Sequence, residues 1–115
     1  MRAHNRVREA CSTAGTGPFD CEGAPAGFVA FGDRYANDEE FYYTRAGGAE
    51  FEVGKGKYDS ANNQVVRLEV HESSNGDALV DFSVASTFVW VDHPAESDNA
   101  LVGLVLALRN QRVTY

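Results

Sequence analysis

The stretch EFEVGKGKYDSANNQVVRLEVHESSNG, Glu50–Gly76, carries the clearest structural signal in the chain. Its first half places Phe51, Val53, Lys55 and Lys57 on one side of a strand, and Glu52, Gly54, Gly56 and Tyr58 on the other. Its second half alternates Val66, Leu68 and Val70 with Arg67, Glu69 and His71. This period of two residues is typical of half-buried antiparallel strands. With DSANN (Asp59–Asn63) as the turn, the stretch is predicted to form a β-hairpin.

Two glycines, Gly54 and Gly56, interrupt the first strand of this hairpin. Glycine is a poor strand former, and it fits best where another backbone or a bulky side chain packs close. The surrounding GKGK superficially resembles a phosphate loop, but it lacks the required spacing and the following Ser or Thr. We therefore predict close packing at the glycines and a pair of exposed lysines, Lys55 and Lys57.

Further strands are predicted on both sides of the hairpin. They cover Asn5–Cys11, Pro18–Glu22, Glu40–Arg45, Asp77–Ser83 and Ser86–Asp92. A Gly- and acid-rich loop precedes Glu40, with Phe28, Val29 and Phe31 as its expected anchors to the core. Turns recur about every 8–14 residues, which is typical of all-β folds. We predict an all-β fold, a small antiparallel β-sandwich or barrel, with a short apolar C-terminal extension.

The sequence pattern changes after Pro94, and we predict a β-rich module at residues 1–96 and an apolar segment at residues 97–115. This segment is hydrophobic nearly all round, so it reads equally as a helix or a strand. We expect it to pack either on its own domain or against an oligomer or another partner. The predicted contact residues are Leu101, Val102, Leu104, Val105, Leu106 and Leu108.

Composition restricts the classes of partner. The chain has 115 residues, which suits one domain, and a net charge of -7, which disfavours nucleic acid and anionic membranes. The longest apolar run, Leu101–Leu108, is too short to span a membrane, so no membrane insertion is expected. The N-terminus lacks the apolar middle region of a secretory signal, which predicts synthesis in the cytoplasm.

Two cysteines, Cys11 and Cys21, flank a turn centred on Thr16. In that arrangement they face each other across neighbouring strands, at a separation that a disulfide can bridge. The alternative is two reduced thiols, the usual state in a cytosolic product. Two cysteines without paired histidines do not make a structural zinc site.

No catalytic motif is found in the sequence, and no cofactor or metal is expected. The acidic stretch Asp33–Glu40 lacks the spacing of a calcium-binding loop, and we expect a solvated loop.

Four aromatic residues offer a carbohydrate-binding alternative by stacking on sugar rings: Tyr42, Tyr43, Tyr58 and Trp90. The competing expectation is that these rings are core residues, above all Trp90. Because the sequence contains no recognisable catalytic motif, the chain is not expected to be an enzyme.

An ordered series of short motifs resembles a small module of tailed-bacteriophage virion proteins. The matching residues are Asn5-Arg6-Val7, Gly15-Thr16-Gly17, Tyr42-Tyr43, Phe51-Glu52-Val53-Gly54, Gly56, Tyr58, Ser73-Ser74-Asn75-Gly76 and Pro94-Ala95-Glu96. The resemblance covers Asn5 to about Glu96. Asn5 replaces the Asp of the family pattern, and Phe51 replaces its Trp.

This resemblance implies a non-enzymatic virion protein, made in the host cytoplasm and acting as a subunit or adaptor of a tail fibre or tail tip. Its implied partners are other virion proteins of the tail or capsid, and it is expected to form a homo-oligomer, with a trimer favoured. The alternatives are a capsid decoration (cement) protein and a carbohydrate- or receptor-binding module.

Overall fold

A computed structural model describes residues 1–83 and 87–92. The described strands are β1 (Arg8–Cys11), β2 (Phe19–Asp20), β3 (Glu40–Gly47), β4 (Glu50–Asp59), β5 (Gln64–Ser73) and β6 (Thr87–Val91). The only helical turn in this part of the chain is a short 3-10 turn, Phe31–Asp33. The predicted all-β class is confirmed. Within these residues, no helix has the length and apolar character needed to cross a membrane.

The six strands form one antiparallel sheet in the order β1-β6-β3-β4-β5-β2. Its two ends approach each other just after β2. There the Ala10 N–H donates to the Gly23 carbonyl at 2.9 Å, and the Glu22 N–H donates to the Ala10 carbonyl at 3.0 Å. These bonds nearly close the sheet into a barrel, one of the two predicted architectures.

The predicted hairpin is formed by β4 and β5. Its turn is held by Asp59, whose carboxylate accepts the Ala61 N–H at 3.1 Å and the Asn62 side-chain amide at 2.8 Å. A second tight connection joins β3 to β4, where Gly47 pairs with Glu50. The β3 strand therefore continues to Gly47, two residues beyond the predicted end at Arg45, and Gly48 supplies the positive φ of +60° at the turn.

The interior face of β4 carries Glu52, Gly54, Gly56 and Tyr58. A Cβ added at Gly54 would lie 2.0 Å from the Glu69 carbonyl oxygen and 3.0 Å from the Tyr43 hydroxyl. At Gly56 it would lie 2.7 Å from the Val66 carbonyl oxygen. The predicted close packing at both glycines is confirmed.

The β5 strand departs from simple alternation because its pairing with β4 shifts register twice. Val65 is buried, and the Arg67 side chain is 2% exposed, so a residue from the predicted polar face points inward. Leu68, from the predicted apolar face, is 43% exposed. Val65 and Arg67 still alternate regularly, so the predicted inward face is reversed at these residues. The irregularity after Arg67 leaves Leu68 without a paired residue on β4 and brings Val70 opposite Gly54, so the sequence period does not carry through the whole strand.

Aromatic side chains fill much of the barrel. Phe31, Tyr35 and Phe41 pack together with centroid separations of 4.6–6.3 Å. Phe19 meets Tyr43 and Phe82 edge to face at 5.7 and 6.0 Å. Phe31 thus confirms its predicted role as a loop anchor, whereas Phe28 and Val29 are only half-buried.

The predicted strand over Asp77–Ser83 is wrong: these residues form turns and irregular backbone, although Val80 and Phe82 are buried. Side chains form hydrogen bonds with backbone groups of this segment. The Ser73 hydroxyl donates to the Ala78 carbonyl at 2.5 Å, and the Val80 N–H donates to the Glu52 carboxylate at 2.8 Å. The segment is consequently held from within the barrel by Glu52 and Ser73.

The strand predicted over Ser86–Asp92 is found as β6. Its inward residues are Thr87 and Val89, which leaves Trp90 half-buried on the outer surface. The expectation that Trp90 lies in the core is therefore wrong. The apolar segment at residues 97–115, predicted as helix or strand, lies outside the described residues.

Candidate functional site

The predicted assembly residues Leu101, Val102, Leu104, Val105, Leu106 and Leu108 lie outside the described residues, and that contact stays a prediction. Within the described chain, two groups of side chains have unusual surroundings. One is a set of charged residues inside the barrel. The other is a set of arginines and aromatic rings on its outer surface.

An ion pair between Glu52 and Arg67 lies inside the barrel, with side chains 0% and 2% exposed. The Arg67 Nε donates to Glu52 Oε2 at 2.8 Å, and the Arg67 Nη2 donates to Oε1, so the pair is bidentate. The Tyr43 hydroxyl also donates to Glu52, at 2.5 Å. Burial, and then the adjoining Glu52 carboxylate, raise the pKa of Tyr43 well above its ordinary value.

Arg67 also binds two loops. Its Nη1 donates to the carbonyls of Gly15 and Gly17, each at 3.2 Å, and its Nη2 donates to the Val80 carbonyl at 2.8 Å. One guanidinium therefore joins the Gly15–Gly17 turn and the Val80 segment to β5. Such satisfied, charge-assisted bonds fix the positions of the groups they join.

A second guanidinium, that of Arg45, is completely buried but poorly satisfied. Its Nε donates to the Thr87 hydroxyl at 2.8 Å, and its centre lies 4.1 Å from the Phe82 ring and 4.7 Å from the Phe19 ring. Neither terminal nitrogen has a hydrogen-bond partner among residues 1–83 and 87–92. Burial is the main cause that lowers the pKa of Arg45 below its ordinary value.

Cys21 lies near Cys11 and near Glu9, which is itself buried. The Glu9 carboxylate accepts the Gly23 N–H at 3.0 Å and the Phe31 N–H at 2.8 Å. Burial, followed by the Glu9 charge, raises the pKa of Cys21 far above its ordinary value. Cys11 and Cys21 are both free thiols in the structure. Their pairing as a disulfide stays a prediction.

This interior arrangement positions loops. The Glu9 and Glu52 carboxylates bind backbone N–H groups of segments that leave the sheet, and neither carboxylate lines either of two surface grooves of the described residues. The larger groove, of about 370 Å³, is lined by Ala49, Glu50, Ser74, Asn75, Val80 and Asp81. No group of three His, Cys, Asp or Glu side chains able to hold a metal was found in the part of the chain that the structure describes.

The outer group comprises Arg6, Arg8, Phe28, Phe88 and Trp90, which we call the arginine–aromatic patch. Val29 bonds to β1 on one side: its N–H donates to the Arg6 carbonyl at 2.7 Å, and its carbonyl accepts the Arg8 N–H at 3.1 Å. On the other side, β6 pairs with β1 and sets Trp90 opposite Arg8. The loop and β6 thus bring aromatic rings to the arginines.

The guanidinium groups of the patch lie against these rings. The Arg6 group lies 4.1 Å from the centroid of Phe28, and the Arg8 group lies 4.3 Å from that of Phe88. Arg8 is also 5.3 Å from Phe28 and from Trp90, within the range of cation–π attraction. A groove of about 190 Å³ runs beside it, lined by Arg6, Val7, Arg8, Phe28, Trp90 and Val91.

The four aromatics predicted for sugar stacking are not brought together. Tyr43 and Tyr58 are buried in the barrel. Tyr42 lies outside against His71, at a centroid distance of 5.8 Å, and Trp90 belongs to the arginine–aromatic patch. Burial of two of the four rings removes them from any sugar-binding surface.

The acidic stretch is largely exposed, as predicted, whereas Lys55 and Lys57 are half-buried on the outer face of β4 and form ion pairs there. Glu39 pairs with Arg2 at 2.7 Å, and Lys57 pairs with Asp38 at 3.0 Å. Lys55 lies 3.3 Å from Glu69. These are ordinary surface ion pairs between solvent-accessible side chains.

No family model matches the chain, and no significant match was found among curated proteins or solved structures.

Proposed function

We propose that this chain is a non-enzymatic structural protein of a tailed-bacteriophage virion, acting as a subunit or adaptor of a tail fibre or tail tip. The observation that carries the proposal is the coincidence of the phage-like motifs with the contacts that hold the barrel together. Such a coincidence is expected if the motif series specifies a scaffold.

Three of the motifs illustrate this coincidence. Gly15-Thr16-Gly17 supplies carbonyls to Arg67. Phe51-Glu52-Val53-Gly54 supplies the buried carboxylate and the glycine that packs against Tyr43. Ser73-Ser74-Asn75-Gly76 holds the chain after β5, because Asn75 Nδ2 donates to the Leu79 carbonyl at 2.9 Å. These contacts support a scaffold that acts through its surface.

The surface of such a subunit acts by burying area against its neighbours, on the order of 1,000 Å² or more for a stable contact. The apolar segment at Leu101–Leu108 is the proposed contact with other virion proteins. The cement-protein alternative uses the same physical means at a different place, the capsid surface. The location of the protein on the virion, tail or head, distinguishes the tail assignment from the cement-protein assignment.

The test is immunogold labelling and cryo-microscopy of purified virions from the phage that encodes the chain. An antibody raised against the folded chain is expected to label the tail fibre or the tail tip. Label on the head would replace the tail assignment with the cement-protein assignment. A chain that is abundant in infected lysate but missing from purified virions would overturn both.

A further inference from the structure

We propose that the arginine–aromatic patch binds the outer face of β5 in a second copy of this chain, giving a head-to-tail homo-oligomer. The proposed function requires contacts with neighbouring subunits but does not say which surface joins copies of this chain, and the inference rests on that function only to this extent. The contact is separate from the one predicted at Leu101–Leu108.

The patch is preorganised for binding. The Arg6 Nε donates to the Gly27 carbonyl at 3.1 Å while its guanidinium lies against Phe28. Arg8 lies among Phe28, Phe88 and Trp90. Because the rings hold both side chains, little additional ordering is needed when a partner arrives.

The charge of the patch is not compensated within the described chain. Neither Arg6 nor Arg8 forms an ion pair with another described residue, whereas Arg2, Lys55, Lys57 and Arg67 all do. The Arg8 Nε is buried and has no hydrogen-bond partner there. Two guanidinium groups near one phenyl ring repel each other, and an incoming carboxylate relieves that repulsion.

A second copy of the chain offers suitable carboxylates, because its net charge is -7. The outer face of β5 combines Leu68, which is 43% exposed, with the exposed carboxylates of Glu69 and Glu72. Lys55 already pairs with Glu69, whereas Glu72 forms no ion pair within the described residues. An apolar side chain beside an available carboxylate complements a groove of about 190 Å³ lined by rings and arginines.

The two surfaces belong to different strands of the barrel: β3 and β4 separate β5 from β6 in one direction, and β2 separates β5 from β1 in the other. A contact between them is therefore heterologous, and it forms a closed ring when the rotation closes. Trp and Arg are the residues most enriched among those that dominate protein–protein binding energy. A groove of this size is small for a free ligand, whose sites commonly span about 300–1,000 Å³.

The experiment measures the oligomeric state of the full chain by light scattering after size exclusion and by native mass spectrometry. We expect an oligomer whose dissociation constant rises at least tenfold in Arg8→Glu, and also when the salt concentration is raised. The matched control is Arg34→Glu, an exposed arginine outside the patch, which should leave the oligomer unchanged. Arg6→Glu, at an exposed position, repeats the test if Arg8→Glu fails to fold.

A charge swap separates contact from mere structural damage. Glu72→Arg alone should weaken the oligomer, and the double variant Arg8→Glu with Glu72→Arg should restore it. Trp90, the only tryptophan of the chain, should report assembly through its fluorescence. A wild-type chain that stays monomeric, equal effects of Arg8→Glu and Arg34→Glu, or a double variant no better than the single ones would overturn the proposal.

Other occupants of the patch give distinct outcomes. If glucuronate shifts the Trp90 fluorescence of a monomeric chain, the patch is an acidic-sugar site and the self-association proposal is wrong. A chain that is monomeric in solution but labels virions overturns this inference and leaves the proposed function standing. A chain that forms a ring in solution but never labels virions overturns the proposed function and leaves this inference standing.

Discussion

The Arg67 guanidinium donates to both carboxylate oxygens of Glu52 inside the barrel, and it also holds carbonyls of the Gly15–Gly17 turn and of Val80. Paired, fully hydrogen-bonded charges are tolerated in a protein interior, whereas removing one partner leaves the other charge buried at a large cost in stability. The stability of the barrel therefore depends on keeping both members of this pair.

Replacing Arg67 by methionine is expected to lower the free energy of unfolding by about 3–5 kcal/mol, because the Glu52 carboxylate would remain buried without its cation. Urea denaturation measures the change. The control is Lys57→Met, which breaks a surface pair with Asp38 and should cost less than about 1 kcal/mol. Similar decreases in the free energy of unfolding in the two variants would show that the buried pair contributes no more to stability than the surface pair.

Replacing Arg45 by methionine is expected to have a much smaller effect than the same change at Arg67. Arg45 makes one hydrogen bond, to Thr87, and its two terminal nitrogens are buried without partners in the described chain. Methionine retains packing against Phe19 and Phe82 and removes the desolvation cost of the charge. We expect a change within about 1 kcal/mol, or a gain in stability, by urea denaturation. A loss as large as that of Arg67→Met would contradict this account.

Replacing Gly54 by alanine is expected to destabilise the barrel by about 3 kcal/mol, because the new Cβ would lie 2.0 Å from the Glu69 carbonyl oxygen. Gly17→Ala is the matched control: no atom lies within 4 Å of the added Cβ, and its φ is not in the left-handed region. It should change stability by less than about 0.5 kcal/mol. Equal melting temperatures for the two variants would refute the close-packing argument.

Stability is expected to fall as the pH rises above 9.0, the ordinary pKa of the Cys21 thiol. Burial raises this pKa in the folded state, so the unfolded chain releases a proton that the folded chain retains. The unfolded state then binds fewer protons, and the free energy of unfolding falls by up to about 1.4 kcal/mol per pH unit. Cys21→Ser should flatten this slope in urea denaturation at about pH 8 and about pH 10. Parallel pH profiles for the two proteins would contradict the prediction.

The hairpin of β4 and β5 was predictable because its signals are local. Alternation, two glycines and a polar turn all lie within the stretch Glu50–Gly76, and they agree with one another. Its buried charges were harder to predict, since Glu52 and Arg67 are residue types that usually face water. The one available signal was that Glu52 shares a face with Gly54, Gly56 and Tyr58.

The arginine–aromatic patch was not predicted because it depends on long-range pairing. Arg8 and Trp90 are far apart in the sequence, and only the pairing of β1 with β6 sets them opposite each other. The wrong strand at Asp77–Ser83 has a related cause. Its apolar residues suggested a strand, but the Val80 N–H bonds to the distant Glu52 carboxylate rather than to a neighbouring strand. Hydrogen-bond partners that are distant in the sequence come together only in the folded barrel, so the local sequence pattern does not reveal them.

The pairing of β1 with β6 also has a consequence during synthesis. The first strand leaves the ribosome long before the residues at Thr87–Val91 that will complete its ladder. At roughly 5–20 residues per second, β1 waits on the order of 4–16 s with an open edge. Once the last strand arrives, such non-local closure takes on the order of milliseconds to seconds. The nascent chain is therefore most exposed to misassociation with its neighbours just before β6 emerges.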